Sequence, residues 1–191
     1  FGSQYTQLIA RRVRELDVFS EILPWDISPE RIKALNPAGI ILSGGPESVT
    51  ALNTPRVPEI VFDLGVPILG ICYGMQTLAE QFGGQVTSSK AKEFGHAEIV
   101  IEETSVLFEG LSLGSTIDVW MSHGDHVSTL PDKFELVAST RSAPIAAMQH
   151  FEKPIFALQF HPEVTHTKQG NAVLKNFVFK VCKCSASWKM E

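Results

Sequence analysis

The chain has 191 residues, of which 44% are hydrophobic and 19% charged, with a formal net charge of −5. That length and apolar content suit one domain with a sizeable core, and they argue against a disordered chain. The acidic balance, without any basic run, argues against nucleic acid as the main partner, and no apolar run is long enough to predict a membrane-spanning helix.

The first half of the chain alternates helical and strand-like patterns. One helical pattern follows a turn at residues 1–4, and a second begins with Ser28 as N-cap and Pro29 at the first helical position. A third covers residues 55–64. Apolar runs typical of strands lie at residues 18–23, 39–43 and 66–71. A helical pattern that ends at Phe82 follows the last of these runs. Alternating strands and helices predict parallel strands in a doubly wound sheet.

After residue 85 the pattern changes to strands with little helix between them. Candidate strands lie at residues 98–101, 117–121, 136–139, 145–148 and 155–160. Turn residues separate them, which predicts an extension of the sheet with mixed strand directions. A last amphipathic helix is predicted at about residues 169–182. The predicted fold class is therefore α/β, with a twisted, mixed, mainly parallel sheet and helices on both faces.

A nucleophile motif joins the strand at 66–71 to its helix. Gly70, Cys72 and Gly74 have the spacing of the G-x-S-x-G nucleophile elbow, with cysteine in place of serine. In so sharp a turn a larger side chain at either flanking position would collide, so the glycines let the sulfur project from the sheet. The helix that follows directs its positive N-terminal end at the sulfur, which favours the thiolate. The alternative is a small buried cysteine between a strand and a helix.

A histidine and a carboxylate two positions apart supply partners for that cysteine. A thiolate nucleophile needs a base and a group that orients the base. In an extended segment His161 and Glu163 would face the same side, while Pro162 stiffens the link between them. The carboxylate would fix the tautomer of the imidazole and support an imidazolium beside the thiolate. The pattern predicts a Cys-His-Glu triad, and the alternative is a surface turn at a strand end.

An oxyanion formed at this cysteine needs hydrogen-bond donors, and backbone N–H groups suit that task because they are already fixed. The N–H of Tyr73, immediately after the nucleophile, is one donor by the geometry of the elbow. The second is predicted in the glycine-rich loop at residues 44–46, which follows a neighbouring strand. The alternative for this loop is an ordinary turn between a strand and a helix.

The remaining histidines and cysteines give weaker signals. His123 lies in a polar turn predicted at residues 121–125, which fits a pocket loop and a plain loop equally well. Cys182 and Cys184 have no further Cys or His cluster nearby, so we predict neither a metal site nor a disulfide framework. The absence of a disulfide framework leads us to predict a cytoplasmic location. The other histidines lack metal-ligand spacing and are interpreted as surface or core residues: His96, His126, His150 and His166.

Taken together, these stretches resemble the class I (triad-type) glutamine amidotransferase domain, and the resemblance runs essentially end to end. Residues 43–48 resemble the oxyanion loop of that family and residues 70–76 its elbow, while residues 1–5 resemble the segment after its first strand. Residues 120–125 and 161–167 are similar to stretches of the branch that serves the amination of XMP to GMP. Tyr-Gly-Met-Gln after Cys72, in place of Leu-Gly-His-Gln, points to the same branch.

The resemblance implies a role for each matching residue. Cys72 would be the nucleophile, His161 the acid and base, and Glu163 the group that orients His161. Gly45 and Tyr73 would donate the oxyanion N–H groups. The residues implied in holding glutamine are Gln76 and the backbone around Ser122 and His123.

The resemblance also implies partners. In the family branch a PP-loop ATP pyrophosphatase (synthetase) domain follows and adenylylates XMP with ATP and Mg²⁺, whereas the glutaminase domain itself has no cofactor. We expect that domain after Glu191, an apolar strand before Phe1, and a homodimer of the complete enzyme. The alternatives for function are a thiol γ-glutamyl hydrolase of the same fold, which does not keep the ammonia for synthesis, and a catalytically silent regulatory domain.

Overall fold

The computed structural model of the protein describes residues 1–189. Its helices are α1 (Thr6–Glu15), α2 (Pro29–Leu35), α3 (Glu59–Asp63), α4 (Tyr73–Gln81) and α5 (Gly170–Lys175). Its strands are β1 (Ile40–Leu42), β2 (Ile68–Ile71), β3 (Gln85–Ile101), β4 (Thr116–Thr129), β5 (Phe134–Ser139), β6 (Ala147–His150) and β7 (Ile155–Leu158). Short helical turns add Val106–Phe108 (3₁₀) and Asn176–Val181 (π).

The described strands form a single mixed sheet in the order β1-β2-β7-β6-β5-β3-β4. Strands β1, β2 and β7 pair in parallel, and the other neighbours pair antiparallel. The predicted α/β fold with a mixed sheet is confirmed, but the prediction that the sheet is mainly parallel is wrong, since two of its six strand pairings are parallel. Parallel pairing is limited to these three strands because later strands are joined by turns, and parallel neighbours need a long crossover connection.

The central strands are buried on both faces, which explains their continuous apolar sequences. In β2, Leu69 and Ile71 pack in one core with side chains of α1 and α5, whereas Ile68 packs in a second core with side chains of α2, α3 and α4. Successive side chains of a strand point to opposite faces, so each core takes alternate residues. The two cores confirm the predicted helices on both faces of the sheet.

The second helix has the predicted ends. The Ser28 side chain accepts a hydrogen bond from the backbone N–H of Arg31 at 3.3 Å, and Pro29 occupies the first helical position. Asn36 ends the helix in the left-handed conformation with φ of 45°. The helix predicted at 55–64 is shorter than expected, because Pro58 stands at its N-cap and α3 begins only at Glu59.

The prediction of a strand at residues 18–23 is wrong, since these residues have no regular structure. The guanidinium of Arg14 donates to the backbone carbonyl of Ser20 at 2.8 Å, and the Ser20 hydroxyl donates to the carbonyl of Ala10 at 3.0 Å. Groups of α1 therefore bind the backbone and hydroxyl groups of this segment. A β-prone sequence becomes a strand only where a neighbouring strand offers its edge.

The segment between α4 and β5 forms a much longer hairpin than predicted. The strands expected at 98–101 and 117–121 are parts of β3 and β4, which contain 17 and 14 residues. The prediction of a polar turn at residues 121–125 is wrong, because these residues continue β4. Burial alternates from Ile117 through Val119 and Met121 to His123, so a buried histidine keeps the period of two that an apolar residue would show.

The last helix is divided rather than continuous over 169–182. An α-helical part, α5, is followed by π-helical turns over Asn176–Val181. The side chain of Asn176, at the junction, donates to the backbone carbonyl of Leu107 at 2.8 Å. A packed side-chain bond at the change of helical pitch is typical of π-helical insertions, and sequence periodicity does not reveal it.

An apolar cavity of about 710 Å³ lies beside β1, between α1, α2 and the segment that ends at Trp188. Its walls include Val13, Ile32 and Val178. The strand expected before Phe1 stays a prediction. Within residues 1–189, no helix combines the length and the apolar character that crossing a membrane requires.

Candidate active site

The nucleophile candidate lies at a sharp turn between β2 and α4. Cys72 is 5% exposed and has φ of 53° and ψ of −107°, a backbone conformation that residues other than glycine rarely adopt. The turn is held from both sides, because the Cys72 N–H donates to Leu158 O at 2.8 Å and its carbonyl accepts from Gln76 N at 3.1 Å. Backbone strain of this kind persists only where the surroundings fix it, as at functional sites.

The two flanking glycines are required by close contacts, as the sequence predicts. A Cβ atom at Gly74 would lie 2.3 Å from the backbone oxygen of Leu42 in β1. At Gly70 it would lie 2.9 Å from the backbone of Gly74 and 2.7 Å from the side chain of Leu78. The elbow therefore packs main chain against main chain, which leaves the cysteine as the side chain at its apex.

Replacing Gly74 by alanine is expected to lower the free energy of unfolding by about 2–3 kcal/mol. Alanine alone would favour a helical position by about 1 kcal/mol, but the clash with a β1 carbonyl outweighs that gain. Thermal or urea unfolding measures the difference. Glu80→Ala, an exposed position on the same helix, is the control and should change stability by less than about 0.5 kcal/mol. A stable Gly74→Ala protein would contradict the close packing of the elbow.

His161 and Glu163 form a buried pair beside the elbow. The Nδ1 atom of His161 lies 2.6 Å from Oε1 of Glu163, and the residues are 3% and 1% exposed. Residues 162–163 form a turn rather than the extended segment that the sequence suggests. The structure nevertheless brings the two side chains together with the cysteine, as predicted, while their catalytic roles stay predictions.

The surroundings of His161 favour its charged form. Burial alone would lower the pKa of His161, but hydrogen bonds to Cys72 and Glu163 and the negative charge of both partners raise that pKa to about 10. The second carboxylate oxygen of Glu163 is buried and has no hydrogen-bond partner among the described residues. A buried carboxylate needs a counter-charge, and the imidazolium of His161 supplies one.

A threonine that sequence analysis missed fixes the backbone of His161 to β4. The Thr167 hydroxyl donates to the carbonyl of His161 at 2.7 Å and accepts from the N–H of Trp120 at 3.0 Å. The N–H of His161 donates to the carbonyl of Trp120 at 3.1 Å. These three bonds hold the histidine against β4, a strand that is distant from β7 in the sheet order. No local sequence pattern predicts such bonds.

The glycine-rich loop after β1 lies close to both Cys72 and His161. A Cβ atom at Gly44 would lie 3.3 Å from the His161 ring and 3.6 Å from Cβ of Cys72, and one at Gly45 would lie 2.5 Å from the carbonyl oxygen of Phe1. Tyr73 is the first residue of α4, so its N–H lies outside the hydrogen-bond ladder of the helix. The assignment of Gly45 and Tyr73 as oxyanion donors stays a prediction.

The side chain of Tyr73 fastens the segment after this loop to the elbow, which the sequence did not reveal. Its hydroxyl donates to the carbonyl of Pro55 at 2.5 Å. Arg56 donates to the carbonyl of Val49 at 2.7 Å, and Gln81 bonds both backbone groups of Val57 at 2.9 Å. Nearer the loop, the hydroxyl of Ser48 donates to the carboxylate of Asp125 in β4. The segment is thus tied to both α4 and β4, which are two of the elements beside the nucleophile.

The residues assigned to glutamine lie on α4 and β4, and one of them, Ser122, contacts the sulfur. Gln76 is 3% exposed and its Nε2 donates to the carbonyl of Asp125 at 3.0 Å. The carbonyl of Ser122 accepts from Sγ of Cys72 at 3.4 Å. The His123 ring is engaged by Glu93 at 2.9 Å and by the carbonyl of Asp125 at 2.8 Å, which leaves its backbone as the part that would meet glutamine. Glutamine binding at these residues stays a prediction.

The cysteines outside the elbow differ in environment. Burial, with a contribution from Cys184, raises the pKa of the Cys182 thiol to about 12, and burial also raises the pKa of Cys184. A glutamine-like electrophile is therefore expected to label Cys72 well before the other two, since only Cys72 has a histidine partner and a helix N-terminus. Mass spectrometry of peptides after short labelling measures the order. Faster labelling of Cys182 or Cys184 would contradict it.

A family model described as glutamine amidotransferase class-I matches residues 1–181. The chain is 57% identical over 194 residues to the glutamine-hydrolyzing GMP synthase of Colwellia psychrerythraea, and 58% identical over the same length to that of Methylococcus capsulatus. Each alignment covers 98% of this chain and 37% of the relative. The chain therefore spans little more than a third of the length of these relatives.

Solved structures agree with the fold. A putative GMP synthase subunit from Thermoplasma acidophilum superposes with a TM-score of 0.81 at 36% identity, covering 95% of this chain and 90% of that one. A glutamine amidotransferase from Thermotoga maritima superposes with a TM-score of 0.74 at 16% identity, covering 93% and 92% of the two chains. The second likeness, at that identity, shows a common fold.

Proposed function

Because the chain belongs to the class I glutamine amidotransferase family, we propose that it hydrolyses the side-chain amide of glutamine to glutamate and ammonia. The observation that carries this proposal is the buried Cys72-His161-Glu163 cluster, in which a cysteine in a strained elbow meets a histidine held by a carboxylate at 2.6 Å. Such a cluster has the parts that nucleophilic thiol catalysis needs: a nucleophile, a proton carrier and its orienter.

The proposed reaction runs in two steps through a thioester. The Cys72 sulfur attacks the carboxamide carbon, and the N–H groups of Gly45 and Tyr73 stabilise the resulting oxyanion. The C–N bond breaks as His161 gives its proton to the departing nitrogen, which leaves as ammonia. In the second step water loses a proton to His161 and adds to the thioester, and the C–S bond breaks with its electron pair returning to sulfur. Glu163 keeps the imidazole oriented throughout.

We further propose that the ammonia serves the amination of XMP to GMP in a longer enzyme. Support comes from the relatives above 50% identity, which are named glutamine-hydrolyzing GMP synthases and are almost three times as long as the aligned segment. The synthetase domain, with its ATP and Mg²⁺, would lie in the remaining length. A homodimer of the complete enzyme and a cytoplasmic location belong to the same proposal.

Glutamate release from glutamine tests the proposal. The assay compares this domain alone with the domain plus the synthetase half, XMP and ATP. We expect slow release by the isolated domain and faster release in the complete mixture, because coupling to an acceptor saves glutamine. Fast release that the synthetase half does not change would favour a free-standing γ-glutamyl hydrolase. No release in either mixture would favour a silent domain.

A further inference from the structure

A buried glutamine immediately after β7 touches the nucleophile. Gln159 follows Leu158, the last residue of β7, and is completely buried. Its Nε2 lies 3.6 Å from Sγ of Cys72, within hydrogen-bond range for sulfur. Its Oε1 accepts from Nε2 of Gln76 at 3.4 Å. Nothing in the triad accounts for a buried amide at this position.

The orientation of this amide follows from a chain of acceptors and donors. The carbonyl of Asp125 can only accept, so the atom of Gln76 that lies 3.0 Å from it is the NH₂ group. That same NH₂ group faces Gln159, which must therefore present its oxygen there. The NH₂ group of Gln159 is left facing the sulfur of Cys72. A backbone carbonyl in β4 thus fixes both side-chain amides, which their shape alone would leave ambiguous.

The two polar groups on the sulfur favour opposite charge states. The carbonyl of Ser122, 3.4 Å from Sγ, accepts a hydrogen bond from the thiol and repels the thiolate. The N–H of Gln159 favours the thiolate, because a hydrogen bond to the charged form stabilises that form. The titratable groups around the site are His161 with Glu163 behind it, Tyr5 packed on the His161 ring, Tyr73 on the elbow, and the His123–Glu93 pair.

We propose that Gln159 is a catalytic residue that donates its amide N–H to the sulfur of Cys72 and so stabilises the thiolate, a role that rests on the proposed thiol chemistry of this site. The donor acts twice. It offsets the Ser122 carbonyl in the resting enzyme, and it stabilises the sulfur when the thioester C–S bond breaks and the electron pair returns to Sγ. Gln76 holds the donor in its orientation.

Alkylation of Cys72 by iodoacetamide tests the role, on a protein whose Cys182 and Cys184 are replaced by serine. Gln159→Met keeps a similar volume and removes the donor, and Gln159→Glu replaces the donor by a carboxylate oxygen. We expect both to lower the alkylation rate near neutral pH by about tenfold or more. We also expect the midpoint of the rate-against-pH curve to move upward. Gln149→Met, at a half-buried position on β6, is the control and should leave the curve unchanged.

A Gln159→Met protein that is folded by circular dichroism and alkylates as the parent does would overturn the proposal. If both Gln159 variants fail to fold, Gln76→Met decides, since it removes the group that orients the Gln159 amide without touching the sulfur. It should lower the alkylation rate, and an unchanged curve would overturn the proposal. Alkylation does not require glutamine turnover. The outcome is therefore separate from that of the glutamate-release assay, which tests the proposed function.

Discussion

Replacing Cys72 by alanine in the proposed complete synthase is expected to abolish GMP formation from glutamine and to leave GMP formation from added ammonium salts. The glutamine-dependent rate should fall by about 10⁴-fold or more, the scale on which loss of a triad nucleophile acts. Ammonia from solution bypasses the thioester, because it enters the reaction after the step that needs the sulfur. The measurement is GMP formation with each nitrogen source at matched concentrations of XMP and ATP.

The surviving reaction has its own signature. In the proposed synthase reaction free NH₃, and not NH₄⁺, attacks adenylylated XMP, so the ammonia-dependent rate should rise with pH as the ammonium ion loses its proton. Cys182→Ala is the matched control, since that thiol is remote from the triad and should keep both activities. A Cys72→Ala enzyme that loses both reactions alike would mean that Cys72 is structural.

Replacing His161 by alanine is expected to cost glutaminase activity about 100-fold more than replacing Glu163 by alanine. His161 carries a proton in both steps of the proposed reaction, whereas Glu163 orients and stabilises the imidazole through their 2.6 Å contact. Loss of Glu163 should still be severe, about 10⁴-fold, because the histidine then lacks its fixed tautomer. The comparison uses kcat for glutamate release, and equal losses would contradict this division of roles.

The charge of His161 also has a thermodynamic consequence. Folding raises the pKa of His161 from its ordinary value of 6.5 to about 10, so the folded state holds that proton more tightly than the unfolded state. The stability gained is fully present below pH 6.5 and is lost as the pH rises to about 10. The difference in melting temperature between wild type and His161→Ala should narrow across that window. A difference that stays constant would indicate an uncharged imidazole.

The cluster of Cys72, His161 and Glu163 was predictable because its signals are local in sequence. Gly70 and Gly74 stand at fixed distances from Cys72, and Glu163 stands two residues from His161, so spacing alone suggested the chemistry. The structure adds the reason for that spacing, since a side chain at Gly74 would meet the β1 backbone. The geometry of the elbow was thus predictable from its own segment, whereas the extended geometry predicted at residues 162–163 was wrong.

Contacts between distant segments were not predictable in this way. Thr167 bonds Trp120 in the long hairpin, and Gln159, directly after β7, reaches the sulfur of Cys72 from 87 positions along the chain. Residues 18–23 show the converse, since their β-prone sequence has partners in α1 rather than a strand edge. Tertiary packing decides which neighbour a segment contacts, and these contacts cannot be predicted from a single sequence.

Strand β4 contacts three residues of the candidate site at once: Cys72, His161 and Gln76. The carbonyl of Trp120 bonds His161, that of Ser122 bonds the Cys72 sulfur, and that of Asp125 bonds Gln76. A displacement of this strand would alter all three contacts together. Linkage makes such a coupling mutual. A partner whose binding raises the affinity for glutamine by some factor binds more tightly, by that same factor, when glutamine is bound. Partner affinity, measured with and without glutamine, would then report on the active site without any turnover.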